Sequence, residues 1–325
     1  MKIYTILKSL FLTTTFFFLV VNGVSAIDFP TKPINLVVCF AAGGSTDIIV
    51  RAITDRMSEK MGVPVVLVNK PGSGGLIGGE FVAKSKPDGY NVLVLSLAHI
   101  CRQVIDPKMP FDVVKDFEPI CLYVGQPIFI IVNGDSKFKT IEDLIDFAKK
   151  NPGKLSLGSA GIGATSHFSL ELMKAATKIN FKHVPFAGEG PAITAVMGGH
   201  IDGMAAGLGA FLGKALSGDL KALVTFDDQR VPELKDVPTF KEKGYPEAYM
   251  YSWFSFAAPA GTPKEIIEKL DNGFRAAIKD PASEAAIKKL YFRELYMGHG
   301  EFKPFVKSEL EKFDKIAKSA GITVK

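Results

Sequence analysis

Short apolar runs alternate with segments of helical period along almost the whole chain, and this alternation limits the fold more than any other feature. Residues 34–40 form the first run. In the segment that follows, 46–61, Ile49, Ile53, Met57 and Met61 recur every four residues and make one apolar helix stripe. Further strands are expected at 65–68, 91–96, 128–132, 155–159, 181–184, 201–205 and 220–225. Thr140 and Asp143 form a capping-box pattern ahead of a helix carrying Ile141, Leu144, Ile145 and Ala148, and Asn151-Pro152-Gly153 stops it. Helices are also expected at 165–177, 263–278 and 301–320. The strand runs are nearly continuous in apolar residues, as strands buried on both faces are. Strand–helix alternation then implies βαβ units and mostly parallel sheets covered by helices. A length of 325 residues, with 22% charged and 47% hydrophobic content, is an ordinary globular balance with room for two domains.

The first 26 residues read differently. Lys2 and Lys8 precede a run at 10–21 that is apolar apart from Thr13, Thr14 and Thr15, and Val24-Ser25-Ala26 supplies small residues for cleavage. That is the layout of a secretory signal peptide at 1–26, cleaved near Ala26. The apolar run is about a dozen residues, short of the ~20 a spanning helix needs. No Cys stands at the cleavage site for a lipid anchor. Removing the segment takes two Lys from 39 basic residues, so the remaining charge is 37 − 34 = +3, with the basic residues dispersed. Nucleic acid is not an expected partner. Cys39 and Cys121 sit in apolar runs, and neither they nor Cys101 show C-x-x-C or Cys/His spacing. Buried thiols are expected, with no metal and no cofactor. An exported chain could form a disulfide, but the spacing does not say which pair would meet.

Two strand-to-helix turns carry the chemistry. The first is Ala41-Ala42-Gly43-Gly44-Ser45-Thr46-Asp47 and the second is Gly158-Ser159-Ala160-Gly161-Ile162-Gly163-Ala164-Thr165-Ser166. A helix start leaves backbone N–H groups unpaired at a partly positive end, and glycine lets a ligand come close. Each turn is therefore an anion site that needs no basic side chain. Ser45, Thr46, Ser159, Thr165 and Ser166 add hydroxyls. No Lys follows either turn as a phosphate loop requires, and the second turn lacks the third glycine of a dinucleotide fingerprint. A carboxylate fits better. Candidate ligand contacts are Ala42, Gly43, Gly44, Ser45 and Thr46 on the first turn, and Ser159, Ala160, Gly163, Ala164 and Thr165 on the second. Asp47 would repel a carboxylate and is expected to hold the turn in shape. Ser96-Leu97-Ala98-His99 follows a strand where a cleft loop is expected, so Ser96 and His99 are candidates too, His99 when protonated. Phe186 is expected to wall the pocket, and Trp253 to pack in the hinge or core.

At this point the residues resemble a known family, the Bug-type periplasmic substrate-binding components of tripartite tricarboxylate transporters. The resemblance runs from Phe29-Pro30-Thr31-Lys32-Pro33 to the C-terminus. It rests on the order and spacing of Ala42-Gly43-Gly44-Ser45-Thr46-Asp47, Asn69-Lys70-Pro71-Gly72-Ser73-Gly74-Gly75, Pro87-Asp88-Gly89-Tyr90, His183-Val184-Pro185-Phe186, Asp236-Val237-Pro238-Thr239, Ser252-Trp253-Phe254 and Pro259-Ala260-Gly261-Thr262-Pro263. It implies an α/β chain with a type II periplasmic-binding-protein fold, two α/β lobes joined by crossing strands. Lobe one would be 27–125 plus 251–325 and lobe two 126–250, so the two turns would face each other across a cleft. It also implies periplasmic location, a carboxylate ligand (di-, tri- or aromatic), delivery to integral-membrane transporter subunits, and no catalysis. A monomer is expected. Four positions depart from the family pattern: Ser45 replaces a common glycine, Ala164 a common Ser or Thr, and Ala206-Gly207 a frequent polar pair, often Asp-Asn. The small residues around Ala205 and Ala206 imply a wall without an acid, open to a bulkier or more apolar solute and unsuited to a cationic group. Two alternatives stay open on the residues: an exported α/β hydrolase-like enzyme, although no G-x-S-x-G elbow is present, and a ligand-presenting sensory module.

Overall fold

The computed structural model describes residues 28–106 and 108–323. The expected signal segment lies outside these residues. The chain opens with β1 (Ile34–Val38), α1 (Ser45–Met61), β2 (Val65–Asn69), α2 (Leu76–Ala83), β3 (Asn91–Ser96) and α3 (Leu97–Ile105). The three strands pair in parallel in the order β2-β1-β3. Helix α1 buries Ile49, Val50, Ile53, Met57 and Met61 along the apolar stripe and ends at Gly62, whose φ of 71° is the left-handed conformation a helix stop favours.

The next strand, β4 (Phe117–Asn133), is 17 residues long and buried almost throughout. Only 128–132 of it is expected from sequence, because Pro119 and Pro127 interrupt the apolar run and cannot donate to a ladder. The structure tolerates both. Pro119 sits where the β4 register shifts, and Pro127 is the last β4 residue paired with the strand at 251–259 before another partner takes over at Ile128.

A second βαβ set follows: α4 (Ile141–Lys150), β5 (Ser156–Ser159), α5 (Thr165–Thr177), β6 (Lys182–Pro185), α6 (Glu189–Met197), β7 (Gly203–Gly207), α7 (Leu208–Leu216) and β8 (Leu220–Thr225). Strands β7-β5-β6 are parallel, and β4 joins both β7 and β8 antiparallel through its second half. The chain then returns as β9 (Tyr251–Pro259), α8 (Lys264–Ile278), α9 (Pro281–Lys289), β10 (Arg293–Met297) and α10 (His299–Ala320). β9 inserts between β3 and the first half of β4, antiparallel to both, and β10 pairs with β4 on its other side. The result is a two-lobed α/β architecture whose lobes share β4. Parallel pairing is confined to the two βαβ sets, so the expectation of mostly parallel sheets needs correcting: every pairing made by the crossing strands β4 and β9 is antiparallel.

The core beneath the crossing strands is aromatic. Tyr123 stacks on Phe256 at 4.6 Å, and Trp253 meets Phe302 of α10 edge-on. The Trp253 indole N–H donates to Glu309 Oε2 at 2.9 Å, with both residues buried. Cys39, Cys101 and Cys121 are free and buried, and burial pushes each thiol up.

Candidate functional site

The first turn leaves β1 at its C-terminal end and enters α1. Gly43 takes φ 81°, a conformation that favours glycine, and its N–H donates to Asp47 Oδ2 at 3.2 Å. Arg51 Nη2 and Asn69 Nδ2 donate to Asp47 Oδ1 at 2.8 and 3.1 Å. Burial works against the Asp47 anion, but these donors outweigh it and hold the carboxyl below the usual range. All of the hydrogen bonds recorded for Asp47 therefore serve the turn and its flanking elements.

The second turn leaves β5 and enters α5. Gly161 and Gly163 both have positive φ. Ser159 Oγ pairs with His183 Nε2 at 2.7 Å and accepts the Gly161 N–H at 3.2 Å. The Gly163 N–H donates to His167 Nδ1 at 3.1 Å, and the Ala160 N–H to Ser166 Oγ at 2.9 Å. His167 and His183 stack at 4.3 Å. Burial lowers His183 to about 4; burial and the neighbouring His183 lower His167 to about 3. Both rings are neutral near pH 7, and they brace the turn from behind.

Between the two turns lies a cavity with about 430 Å³ of empty space, counting its solvent-open part. Gly44, Ser45 and Thr46 line it from the first turn and the start of α1, and Ala160, Ala164, Thr165 and Ser166 from the second turn and the start of α5. Ser96 and Ala98 come from the β3–α3 junction, and Gln126, Ile128, Ser252 and Phe254 from the crossing strands. The space thus sits at the carboxyl ends of parallel strands, where open α/β sheets place their ligands. By helix geometry the first-turn N–H groups of Thr46, Thr165 and Ser166 have no partner within their own helix. Ser45 Oγ is buried and makes no hydrogen bond among the described residues.

The lobes touch across this cavity. The Ala41 N–H donates to Ala187 O at 3.0 Å, and Arg102 Nη1 to Ile162 O at 2.8 Å. The third contact is a carboxylate. Glu189, the first residue of α6, accepts the Ser45 N–H on Oε2 at 2.9 Å and the Gly207 N–H on Oε1 at 2.7 Å. The residue is half-buried. Burial pushes it above the usual carboxylate range, against the two N–H groups that favour the anion.

Seven of the residues singled out from sequence meet at the cavity: Gly44, Ser45, Thr46, Ser96, Ala160, Ala164 and Thr165. The others lie elsewhere. Ala42 and Gly43 form the exposed tip of the first turn. Ser159 is wholly buried and committed to His183 and the turn backbone. Gly163 packs on Arg102, and Phe186 on Gly158. Ala205 and Ala206 are interior to β7, paired with Ile130 and Phe129. The loop expected at 96–99 is the start of α3, with Ser96 at its N-cap. His99 Nδ1 accepts the Ser96 N–H at 3.2 Å, its ring is buried, and burial lowers it to about 4. Its tie to the cap turns His99 away from the cavity and toward Gly75, whose added Cβ would lie 3.4 Å from Nε2. Sequence reasoning missed Glu189, Gln126 and Phe40. An acid directly after Gly188 at a helix start is an ordinary first-turn residue, and only the tertiary fold brings it to Ser45.

The family described as tripartite tricarboxylate transporter family receptor matches residues 49–322. A protein from the tcbD-tcbE intergenic region of Pseudomonas sp. strain P51 is 35% identical over 289 residues, 89% of this chain and 86% of that one. The solved structure of the periplasmic binding protein BugD is 33% identical, with a TM-score of 0.88 over 91% of this chain and all of that one. An R. palustris protein solved with adipate is 29% identical, with a TM-score of 0.85 over 91% of this chain and 99% of that one. The family is one of receptors rather than enzymes, and the BugD neighbour is a periplasmic binding protein.

Proposed function

The chain belongs to the tripartite tricarboxylate transporter receptor family, and from that premise we propose that it captures a small carboxylate between its lobes in the periplasm and delivers it to integral-membrane transporter subunits. One observation carries this reading: two helix starts, α1 and α5, line one cavity from opposite lobes. Their unpaired N–H groups, with the hydroxyls of Thr46, Thr165 and Ser166, can hold a carboxylate without a basic side chain. The adipate in the R. palustris neighbour supports the same ligand class.

In this reading lobe one is 27–125 plus 251–325 and lobe two is 126–250. β4 exchanges partners between Gly125, opposite Trp253, and Ile128, opposite Gly207, which makes 126–127 with 251–252 the hinge. Asp47 acts as scaffold for the first turn. Residues 1–26 direct export, and the receptor works as a monomer. Closure around the solute produces the form that the membrane subunits read.

Thermal melting against a panel of carboxylates and their matching amides tests the reading. A true ligand at 100 times its Kd stabilises by about 2.7 kcal/mol. A narrow set of carboxylates should raise Tm while the amides do not. Equal stabilisation by acids and amides, or product formed on prolonged incubation, would overturn it.

A further inference from the structure

The cavity is lined by one ionisable group, and that group is acidic. Glu189 is the only Asp, Glu, Lys, Arg or His on its wall among the described residues. The other polar walls are neutral: the hydroxyls of Ser45, Thr46, Ser96, Thr165, Ser166 and Ser252, and the Gln126 amide. The guanidinium that crosses the seam, Arg102, is already committed, with Nη1 on Ile162 O and Nη2 on Asp106 Oδ2 at 2.6 Å. Glu189 keeps acceptor capacity. Each carboxylate oxygen has two lone-pair sites, and each spends one on a backbone N–H, Ser45 or Gly207, so even with the Ser45 hydroxyl close by, one site stays open.

A ligand carboxylate at the α5 start therefore shares an enclosed space with a fixed second carboxylate. Like charges in a partly desolvated site repel, whereas a cation beside Glu189 would complete its hydrogen bonding and cancel its charge. Gln126 Oε1 is held by the Gly209 N–H at 2.9 Å, so the amide cannot turn that oxygen freely toward a ligand. That leaves Glu189 as the strong acceptor at this end of the cavity.

Resting on the reading of this cavity as a carboxylate site, we propose that the solute is a zwitterion, a carboxylic acid carrying a protonated amine, with Glu189 as the partner of the ammonium and the α5 start as the partner of the carboxylate. Glu189 is then the residue that selects against simple dicarboxylates.

The test compares ligands of matched length by calorimetric titration of the full chain: butanoate, succinate and 4-aminobutanoate, then pentanoate, glutarate and 5-aminopentanoate, then L-norvaline for an amine on the α-carbon. At least one amine-bearing acid should bind tenfold or more tightly than both its dicarboxylate and its plain monocarboxylate. Glu189→Gln keeps the shape and removes the charge. It should weaken the amino acid roughly 10- to 100-fold, the range for a hydrogen bond to a charged group, and narrow or reverse the gap to the dicarboxylate. Glu189→Asp should recover part of the loss. If Glu189→Gln fails to fold, the wild-type ranking decides alone. A dicarboxylate that binds more tightly than every amine-bearing acid, or amine-bearing acids none of which exceeds the plain monocarboxylate of its length, overturns the zwitterion and leaves the carboxylate receptor standing. No binding by any member of the series overturns the zwitterion, and the carboxylate melting panel then decides the receptor reading separately.

Discussion

Gly74 makes lobe closure testable with one methyl group. It lies just before α2 in lobe one, at φ 67°, directly against Ile162 of the second turn. A Cβ built there would lie 2.0 Å from Ile162 O. An unstrained carbon–oxygen contact is near 3.3 Å, so Gly74→Ala forces the lobes apart by about 1.3 Å at this point. Three hydrogen bonds span the same seam: Ala41 to Ala187 at 3.0 Å, Ser45 to Glu189 at 2.9 Å and Arg102 to Ile162 at 2.8 Å. Lengthened by that amount, all three pass out of hydrogen-bonding range. At about 1 kcal/mol each, the closed form loses about 3 kcal/mol relative to the open one, a shift of roughly 100-fold in the closed-to-open ratio. Alanine at positive φ adds about 1 kcal/mol of strain, but open and closed forms bear it equally. Gly62→Ala is the control, because Gly62 has φ 71° and nothing within 4 Å of an added Cβ. It should lower stability similarly and leave closure alone. Small-angle scattering, with fluorescence transfer between labels on the two lobes, reads the outcome. Gly74→Ala should enlarge the radius of gyration of the unliganded protein, and Gly62→Ala should not. Identical scattering from Gly74→Ala and wild type would show that the seam yields locally and that this contact does not govern closure.

Two further predictions concern stability. Burial holds His99 at about 4 and His167 at about 3, below the 6.5 of an unfolded imidazole, so the unfolded chain takes up protons first as pH falls. Stability should therefore decline from about pH 6.5 downward, each ring costing on the order of 2 kcal/mol by pH 5 relative to pH 7. Urea unfolding across that range checks the slope, which His99→Gln should reduce; a flat profile between pH 7 and 5 contradicts the assignment. Glu309→Leu strands the buried Trp253 indole N–H and should cost ~1–3 kcal/mol, whereas Glu309→Gln keeps an acceptor and should cost less. Equal denaturation midpoints for the two variants would show that the indole bond contributes little.

What the sequence made legible was local. The four-residue spacing of Ile49, Ile53, Met57 and Met61 specified α1, and the Thr140–Asp143 capping box marked the start of α4 with its reciprocal bonds of 3.2 and 3.0 Å. Both glycine turns could be read because a helix start with hydroxyls needs only neighbouring residues. What escaped was set by distant partners. β4 reads as a short strand because its prolines argue against continuation, yet partner exchange and a register shift accommodate them. Short helices such as α6 and α7 carry little periodicity. The wall at Ala206 and Gly207 reads from sequence as lacking an acid, but the Gly207 N–H donates to the carboxylate of Glu189, 18 residues earlier. No local pattern announces that contact, because the geometry of β6 and β7 creates it.

The insertion of β9 between β3 and β4 has a consequence for the order in which the molecule can be assembled. Ser255 reaches back 160 residues to donate to Leu95 O, and every β9 pairing spans a comparable or larger stretch than any within the second βαβ set. While the chain grows from its N-terminus, the second set is complete by Thr225, with all of its strands contiguous. The first set by then has β3 and half of β4 synthesised, each with a bare apolar edge facing the gap that β9 will fill. Such edges are templates for the wrong strand. Until residue 259 is available the first lobe cannot close its sheet, so its folding waits on the last quarter of the chain, and a truncation ahead of β9 should yield an aggregating product rather than a smaller receptor.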